Sequence, residues 1–331
     1  MKQQSKLLQN AEASREMGLL VFIVIVCVLI QLRNSEFLTI GNLTSLLTNT
    51  AILSILSVGM MMVLLTGGID LSIGATMALS GMITALTVSA NPTVPTIVLL
   101  LEGTAVGIVA GLVVGILIAK FSILPIIASL GLMNVIRGLT YVVGGGSWVS
   151  AYQMPAYFKD FATSKILGVN NLVAIAIVVY IIYYYFINFS RTGRRIYAVG
   201  SNPEAAAVIG LPKIRITWLV YIIMGALAGL AGVLWVAKFA SAQGDTAIGY
   251  EMNVIASCVL GGVSVSGGRG KVFGLVLGVI LFGILANALP LINVSPFWQQ
   301  AIQGFVILAA VITNVIIKRN NDRMVLRRRV I

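Results

Sequence analysis

Residues 171–239 read NLVAIAIVVYIIYYYFINF, then SRTGRRIYAVGSNPEAAAVIGLPKIRI, and then TWLVYIIMGALAGLAGVLWVAKF. The two outer runs are apolar and about the length that crosses a bilayer as a helix, whereas the middle segment holds five cations and one carboxylate. Inside lipid a chain must satisfy its backbone hydrogen bonds internally, and a helix does so within one segment. The pattern therefore predicts an all-α fold, a polytopic bundle of transmembrane helices.

The composition of the whole chain agrees with this prediction. Of its 331 residues, 59% are hydrophobic and only 10% are charged, and the mean hydropathy is +1.02. A soluble domain carries about 25% charged residues. The net charge of +12 collects near Lys2 and Lys6, from Arg191 to Arg215, and from Lys318 to Arg329. These positions flank apolar runs, so the charge indicates membrane topology, with the lipid bilayer and not nucleic acid as a partner.

Ten apolar runs are candidate spans, and about ten helices should cross the membrane. They are Gly18–Leu32, Leu43–Leu65, Ser72–Ala90, Val94–Ala119, Ile123–Val143, Asn171–Phe189, Thr217–Phe239, Tyr250–Gly261, Val272–Leu289 and Phe297–Ile317. An even number places both termini on one side, and the distribution of cations makes that side cytoplasmic. We expect a single transmembrane domain over residues 1–331, with a cytoplasmic tail at 1–16, a cytoplasmic loop at 190–216 and a basic cytoplasmic tail at 318–331.

The loop at 190–216 carries the signals of one short helix. Ser201 or Asn202 can cap its start, Pro203 suits the first helical position, and Gly210 suits the stop. A short capped helix on a basic loop is typical of a surface that docks a cytoplasmic partner. An ordinary positive-inside loop with a helical turn would show the same signals, so the local pattern leaves both interpretations open.

Three sets of glycines recur at helical spacing and favour close helix packing. They are Gly107, Gly111 and Gly115, then Gly225 and Gly229, and finally Gly274 and Gly278. For each set, packing within the chain is favoured over a dimer seam.

The second expected span is interrupted at Gly67 and Gly68, shortly before Asp70 and Ser72. A broken helix exposes backbone groups that protein or water in a cavity must satisfy. One interpretation places Asp70 on a translocation pathway or gate. The other makes Asp70 a carboxylate that the dipole of the next helix stabilises, with Ser72 as a possible cap.

Two charges, Glu102 and Arg137, lie well inside expected spans, where a charge is costly unless it is paired or hydrated. Glu102 follows Val94 by eight residues, and Arg137 precedes Val143 by six. At 1.5 Å per residue their depths match within about 3 Å. We therefore expect a structural ion pair between them; the alternative is that Arg137 faces the translocation path.

No pattern of catalytic or cofactor-binding residues is evident. The chain has no histidine, and its two cysteines lie in apolar runs. The string GGRGK at 267–271 lacks the earlier glycine and the final Ser or Thr of a nucleotide-binding P-loop. We expect no metal, no cofactor and no enzymatic activity, and we interpret the string as a cytoplasmic connection.

Four strings in order carry a resemblance to a known family. They are GMMMVLLTGGIDLSIG at 59–74, IRGLT at 136–140, GRRIYAVGSNPEAA at 193–206 and GYEMNVIASCVLGG at 249–262. The chain resembles the membrane permease subunits of bacterial ribose-type (simple-sugar) ABC importers. Glu102 belongs to none of these strings.

The resemblance implies a multi-pass permease of the bacterial inner membrane that imports a ribose-like monosaccharide by alternating access. It implies three protein partners: a cytoplasmic ABC ATPase that hydrolyses the ATP, an extracytoplasmic sugar-binding protein, and a second permease copy or paralogue. The helix that docks the ATPase would comprise the residues Ser201, Asn202, Pro203, Glu204, Ala205, Ala206 and Gly210. The path or gate would include Gly67, Gly68, Asp70, Ser72 and Arg137.

Two alternative functions remain. Relatives of this type also carry non-aldose ligands such as a furanose-like autoinducer. A secondary transporter driven by an ion gradient could use Asp70, Glu102 and Arg137 as a relay, although the absence of histidine disfavours it.

Overall fold

The structure is a computed structural model and describes residues 2–306, 308 and 312. It is almost entirely helical, as the sequence predicted. The α-helices are α1 (Lys2–Arg33), α2 (Ile40–Leu65), α3 (Ile73–Ala90), α4 (Thr96–Ala119), α5 (Pro125–Val143), α6 (Ala156–Thr163), α7 (Asn171–Phe189), α8 (Arg191–Ser201), α9 (Pro203–Val208), α10 (Lys213–Phe239), α11 (Tyr250–Leu260) and α12 (Val272–Leu291). A 3₁₀ turn covers Ala151–Gln153, and residues 296–306 are also helical. One small hairpin pairs β1 (Lys165–Ile166) with β2 (Val169–Asn170).

Eight helices in the described part of the chain are long and apolar enough to cross a membrane. They are residues Arg15–Arg33 of α1, together with α2, α3, α4, α5, α7, α10 and α12. The bundle is thus confirmed as all-α and polytopic. The expected tail at 1–16 is helical from Lys2 onward.

Of the other two expected spans, one is too short to cross the membrane and one lies partly outside the described residues. Helix α11 has only 11 residues, which extend about 16 Å and so cannot cross the hydrocarbon layer alone. The expected span Phe297–Ile317 lies partly, and the basic tail at 318–331 entirely, outside the described residues.

The chain divides into two compact units. The first comprises the described residues among 1–46, 256–264 and 270 onward, and the second comprises 47–255 and 265–269. In the first unit, α1 and α12 share an apolar cluster formed by Ile23, Phe37, Leu46, Leu277, Leu281, Ile284 and Ala288. Polar side chains add hydrogen bonds beside this cluster. Asn34, directly after α1, donates to the Leu291 carbonyl of α12 at 2.9 Å. Asn42 of α2 and Asn287 of α12 exchange two hydrogen bonds at 3.0 and 3.1 Å.

In the second unit, α4 and α10 meet backbone to backbone at glycines. A Cβ atom on Gly107 would overlap the Gly225 carbonyl oxygen, and one on Gly229 would overlap the carbonyl oxygen of Gly103. Ser80 of α3 donates to the Gly229 carbonyl at 2.8 Å, which joins a third helix to the crossing. The first two glycine sets therefore pack against each other within the chain, as expected.

The third glycine set packs in the first unit. A Cβ atom on Gly274 would overlap the Gly261 carbonyl oxygen, and one on Gly278 would overlap that of Ser257. Helix α12 therefore lies directly against the end of α11, again through backbone contacts within one chain.

We predict that Gly107→Ala destabilises the protein, because the new methyl group has no space between α4 and α10. Overpacking of this kind costs about 1–3 kcal/mol. The measurement is the thermal unfolding midpoint of purified protein in detergent.

Gly131→Ala is the matched control. Gly131 lies inside α5 with open space around its Cβ position, so Ala should be neutral or stabilising through its better helix propensity. Equal midpoints for the two variants would contradict the close crossing.

Candidate translocation path and coupling segment

The break between α2 and α3 covers residues 66–72. It depends on two glycines, because a side chain would strain the backbone at Gly67 and overlap a neighbour at Gly68. Gly67 has a φ of +78°, in the left-handed region, and ends α2. A Cβ atom on Gly68 would lie 2.5 Å from the hydroxyl of Tyr221. The interruption predicted at these two glycines is confirmed.

Asp70 lies in this break and is only 2% exposed. Its Oδ1 atom accepts hydrogen bonds from the backbone N–H of Ser72 at 2.9 Å and from the Ser72 hydroxyl at 2.6 Å. Ser72 precedes α3 directly but donates to Asp70 and caps no helix N–H, so its expected capping role is wrong.

A neighbouring helix supplies a hydrogen bond to the backbone of the break. The Ile69 carbonyl accepts from the hydroxyl of Tyr221 in α10 at 3.3 Å. The Ser129 hydroxyl of α5 lies 3.5 Å from the same carbonyl but donates to the Pro125 carbonyl at 2.7 Å. The break is therefore attached to α10 and lies close to α5.

Arg137 does not pair with Glu102, so that expectation is wrong. Its Nη1 atom donates to the carbonyls of Gly244 at 2.8 Å and Thr246 at 2.7 Å, in the loop between α10 and α11. Glu102 instead accepts a hydrogen bond from the Thr87 hydroxyl at 2.8 Å, across the α3–α4 contact. Matching depth along two helices fixes height but not direction, and the two side chains point to different neighbours.

The loop that Arg137 holds, residues 240–249, is the connection expected between the spans that end at Phe239 and begin at Tyr250. It begins with Ala240 in a left-handed conformation and forms an isolated antiparallel bridge between Ala242 and Val149. Farther along, the Ala247 carbonyl and the Glu251 carboxylate lie close to Gly74, at the start of α3, where a Cβ atom would be 2.5 Å and 2.8 Å from them. The loop therefore reaches the helix that follows the Asp70 break.

Glu251, at the start of α11, is only 9% exposed. Its carboxylate stabilises the positive charge of Arg137 electrostatically, although the two form no direct ion pair. Asp245 contributes to the same attraction. Arg137 is thus balanced by loop carbonyls and by acids that follow α10, which the depth argument could not identify.

The segment at 190–216 contains two helices, where the sequence indicated one. The expected helix is α9: Asn202 caps it by accepting the Ala205 N–H at 2.9 Å, Pro203 is its first residue, and Gly210 follows with a φ of +72°. Ser201 is the last residue of α8 and not the cap. The last residue of α9, Val208, is 87% exposed, so this end of the helix is open to the surroundings.

The helix that the sequence analysis missed, α8, had a visible start signal. Ser190 accepts the Gly193 N–H at 2.8 Å and so caps α8 one residue after α7 ends. A cap this close to the preceding span is easily counted as the end of that span.

A glycine junction, formed by Gly67, Gly200, Gly267 and Gly268, joins the end of α8 to the start of the Asp70 break. The Gly268 N–H donates to the carbonyl of Leu65, the last residue of α2, at 2.9 Å. A Cβ atom on Gly267 would lie 2.7 Å from the Gly200 carbonyl oxygen and 3.1 Å from the Gly67 nitrogen. Gly267 and Gly268 of the string at 267–271 are therefore part of a tight backbone contact in the second unit.

The sequence of the chain is similar to those of known membrane permeases. A family model described as "Branched-chain amino acid transport system / permease component" matches residues 42–311. The ribose import permease protein RbsC of Escherichia coli K12 is 38% identical over 299 residues, which cover 90% of this chain and 91% of the relative. RbsC of Bacillus subtilis is 38% identical over 297 residues, 89% of this chain and 90% of the relative. The D-allose transport system permease protein AlsC of E. coli K12 is 32% identical over 299 residues, with coverages of 90% and 91%.

The chain belongs to the permease family of simple-sugar ABC importers. It is a multi-pass protein of the bacterial inner membrane and a transporter subunit, not an enzyme, because ATP hydrolysis in such importers takes place on a separate subunit. No solved structure matches the chain. In the described residues of this permease, no group of three or more His, Cys, Asp or Glu side chains could hold a metal ion.

We predict that Arg137→Gln loosens the loop at 240–249, because two hydrogen bonds from a charged group are lost. Hydrogen bonds to charged groups contribute about 1.5–3 kcal/mol each. Hydrogen–deuterium exchange of the peptide that covers the loop should be faster in this variant.

Glu102→Gln should leave exchange in the same peptide unchanged, since Glu102 contacts Thr87 and not Arg137. If both substitutions speed exchange in the loop equally, the result would support an ion pair between Glu102 and Arg137 and contradict the contacts in the structure.

Proposed function

We propose that this permease carries a ribose-like monosaccharide inward across the membrane, powered by a separate cytoplasmic ABC ATPase. Two relatives named ribose import permeases support this substrate class, because they are 38% identical to this chain. Relatives named for L-arabinose and D-allose are less similar, at 32% identity. The family also takes in non-aldose ligands, so a furanose-like autoinducer is the alternative cargo.

The observation that carries the mechanism is the glycine junction. Helix α9 docks the ATPase together with the residues that flank it, so the docking segment comprises Ser201–Ala206 and its stop at Gly210. Helix α8 directly precedes α9 in the chain. Gly200, near the end of α8, contacts the α2 terminus at Leu65. A push on α9 by the ATPase therefore reaches the Asp70 break through backbone contacts alone.

The path or gate comprises Gly67, Gly68, Asp70, Ser72 and Arg137. The hydrogen bonds between Asp70 and Ser72 fix the shape of the break, and Arg137 fixes the loop that reaches the start of α3. When α2 shifts at its end, the break and this loop change their relative positions and open the path to one side at a time. The sugar crosses without chemical change, after delivery by an extracytoplasmic binding protein.

The transport path forms between this permease and a second copy or a paralogue, and both termini face the cytoplasm. Support for the orientation comes from the cations, which collect in the segments expected inside. The described glycine sets pack within the chain, so any subunit contact uses other surfaces.

Ion-coupled secondary transport is less well supported. A proton or sodium relay needs ionisable groups within reach of one another. Asp70 binds Ser72, Glu102 binds Thr87, and Arg137 binds two loop carbonyls, so each has its own partner. These separate contacts favour structural roles over a relay.

Glu204→Arg should abolish copurification of the ATPase and reduce ribose uptake, because it reverses the only charge in α9 at an exposed position. The assay compares copurification and uptake of labelled ribose in cells that express the candidate ATPase and binding protein. Glu36→Arg, an equally exposed charge reversal outside α9, is the control and should leave both unchanged.

Uptake that persists without any ATPase would overturn the proposal in favour of ion-coupled transport. ATPase-dependent uptake of an autoinducer but not of ribose would retain the ABC mechanism and change the cargo.

Gly200→Ala should leave ATPase copurification intact but slow uptake about tenfold, the effect of about 1.4 kcal/mol on a rate-limiting step. The added methyl group forces the end of α8 away from the Leu65 carbonyl while α9 keeps its own cap. The measurements are uptake rate and stimulation of ATP hydrolysis by the binding protein.

Gly41→Ala is the control for this variant, since nothing lies within 4 Å of a Cβ atom at that position. Normal uptake by Gly200→Ala would show that the glycine junction does not transmit the motion.

A further inference from the structure

The basic face of α8 borders a cavity that the transport mechanism does not use. The cavity has a volume of about 360 Å³ and is lined by Arg191, Arg194, Arg195, Ala198 and Leu211. All three arginines are exposed, and none forms an ion pair with a described residue. Arg194 donates one hydrogen bond, to the Phe189 carbonyl at 3.3 Å, which leaves most guanidinium donors available. The cavity therefore concentrates three uncompensated charges.

Exposed aromatic rings place this cavity at the edge of the membrane. Tyr184, Tyr185 and Phe189 lie in the last turns of α7, with ring centroids 5.7 to 6.0 Å apart. Tyr185 is 62% exposed and Phe189 is 64% exposed. Tyrosines at the end of a span mark the depth of the lipid head groups, and α8 begins only two residues after Phe189.

We propose that the cavity beside α8 binds the phosphate group of an anionic phospholipid. Guanidinium groups match phosphate oxygens in geometry and charge. The adjoining rings and apolar surface of α7 contact the acyl chains of the same lipid, while Ala198 and Leu211 form the apolar wall of the cavity. Bound in this way, the lipid anchors the start of α8 at the membrane surface.

Two observations favour a lipid over an acidic surface of the ATPase. The arginines directly follow an exposed aromatic cluster at the end of α7. In addition, α9 is more exposed than α8 and lies farther along the chain from that cluster, so a soluble partner would meet α9. The phospholipid site does not depend on the transported sugar or on the identity of the ATPase. It can therefore be tested on the permease alone.

The test measures lipid selectivity of the purified permease in nanodiscs that contain equal amounts of phosphatidylglycerol and phosphatidylcholine. Lipids that stay bound on release from the nanodisc are counted by native mass spectrometry. Each cation near an anionic surface raises affinity by about fivefold. We expect wild-type permease to retain phosphatidylglycerol preferentially and Arg191→Gln/Arg194→Gln/Arg195→Gln to lose at least about tenfold of that preference.

Two further variants separate a defined site from overall charge. Lys120→Gln/Lys213→Gln/Arg215→Gln removes the same charge from exposed positions that do not line the cavity, and it should keep the preference within about threefold. Arg191→Lys/Arg194→Lys/Arg195→Lys keeps the charge but not the fork geometry and should retain part of the preference. Thermal unfolding in neutral detergent confirms that all variants are folded.

The proposal is overturned if the two glutamine variants lose selectivity equally, because the effect is then general charge. It is also overturned if the Arg191, Arg194 and Arg195 variant keeps full selectivity but no longer copurifies the ATPase. That result would assign the basic face of α8 to the protein partner.

Discussion

Backbone contact at glycines is the interaction on which the rest of this structure depends. Lipid supplies little hydrophobic drive for helix association, so helices in a membrane must gain their attraction from close packing. The crossing of α4 and α10 achieves this because Gly103, Gly107, Gly225 and Gly229 bring the two main chains into direct contact. Ser80 adds a hydrogen bond to the same crossing from α3. The fixed arrangement of these helices gives α5 and α10 defined positions beside the Asp70 break.

The same property of glycine serves a second purpose at the glycine junction. There the contacts connect segments far apart in sequence: the end of α2, the end of α8 and the loop at 267–268. Direct backbone contact contains no flexible side chain that could absorb a displacement. A movement of α8 must therefore move the α2 terminus or separate the two. This rigidity is the physical basis for assigning a transmitting role to the junction.

Most features that the sequence predicted have local causes, although α8 was missed despite its local cap at Ser190. Asn202, Pro203 and Gly210 specify α9 through neighbouring residues, so the helix could be predicted from them. The long apolar runs specified the spans for the same reason. The partner of Arg137 could not be predicted, because Gly244 and Thr246 are more than 100 residues away in sequence and only the tertiary fold brings them close. The depth calculated for Glu102 and Arg137 contained no information about the direction of either side chain.

Charged side chains inside the bundle have different partners from those on its surface. Inside, Asp70 accepts hydrogen bonds from the backbone and hydroxyl of Ser72, and Arg137 donates to two loop carbonyls with the Glu251 carboxylate nearby. These short contacts offset part of the cost of removing each charge from water. At the end of α7, by contrast, the guanidinium groups of α8 lack carboxylate partners in the described chain. Cations left uncompensated beside an aromatic cluster suit a surface that meets external anions, and anionic phospholipid supplies them wherever the membrane carries it.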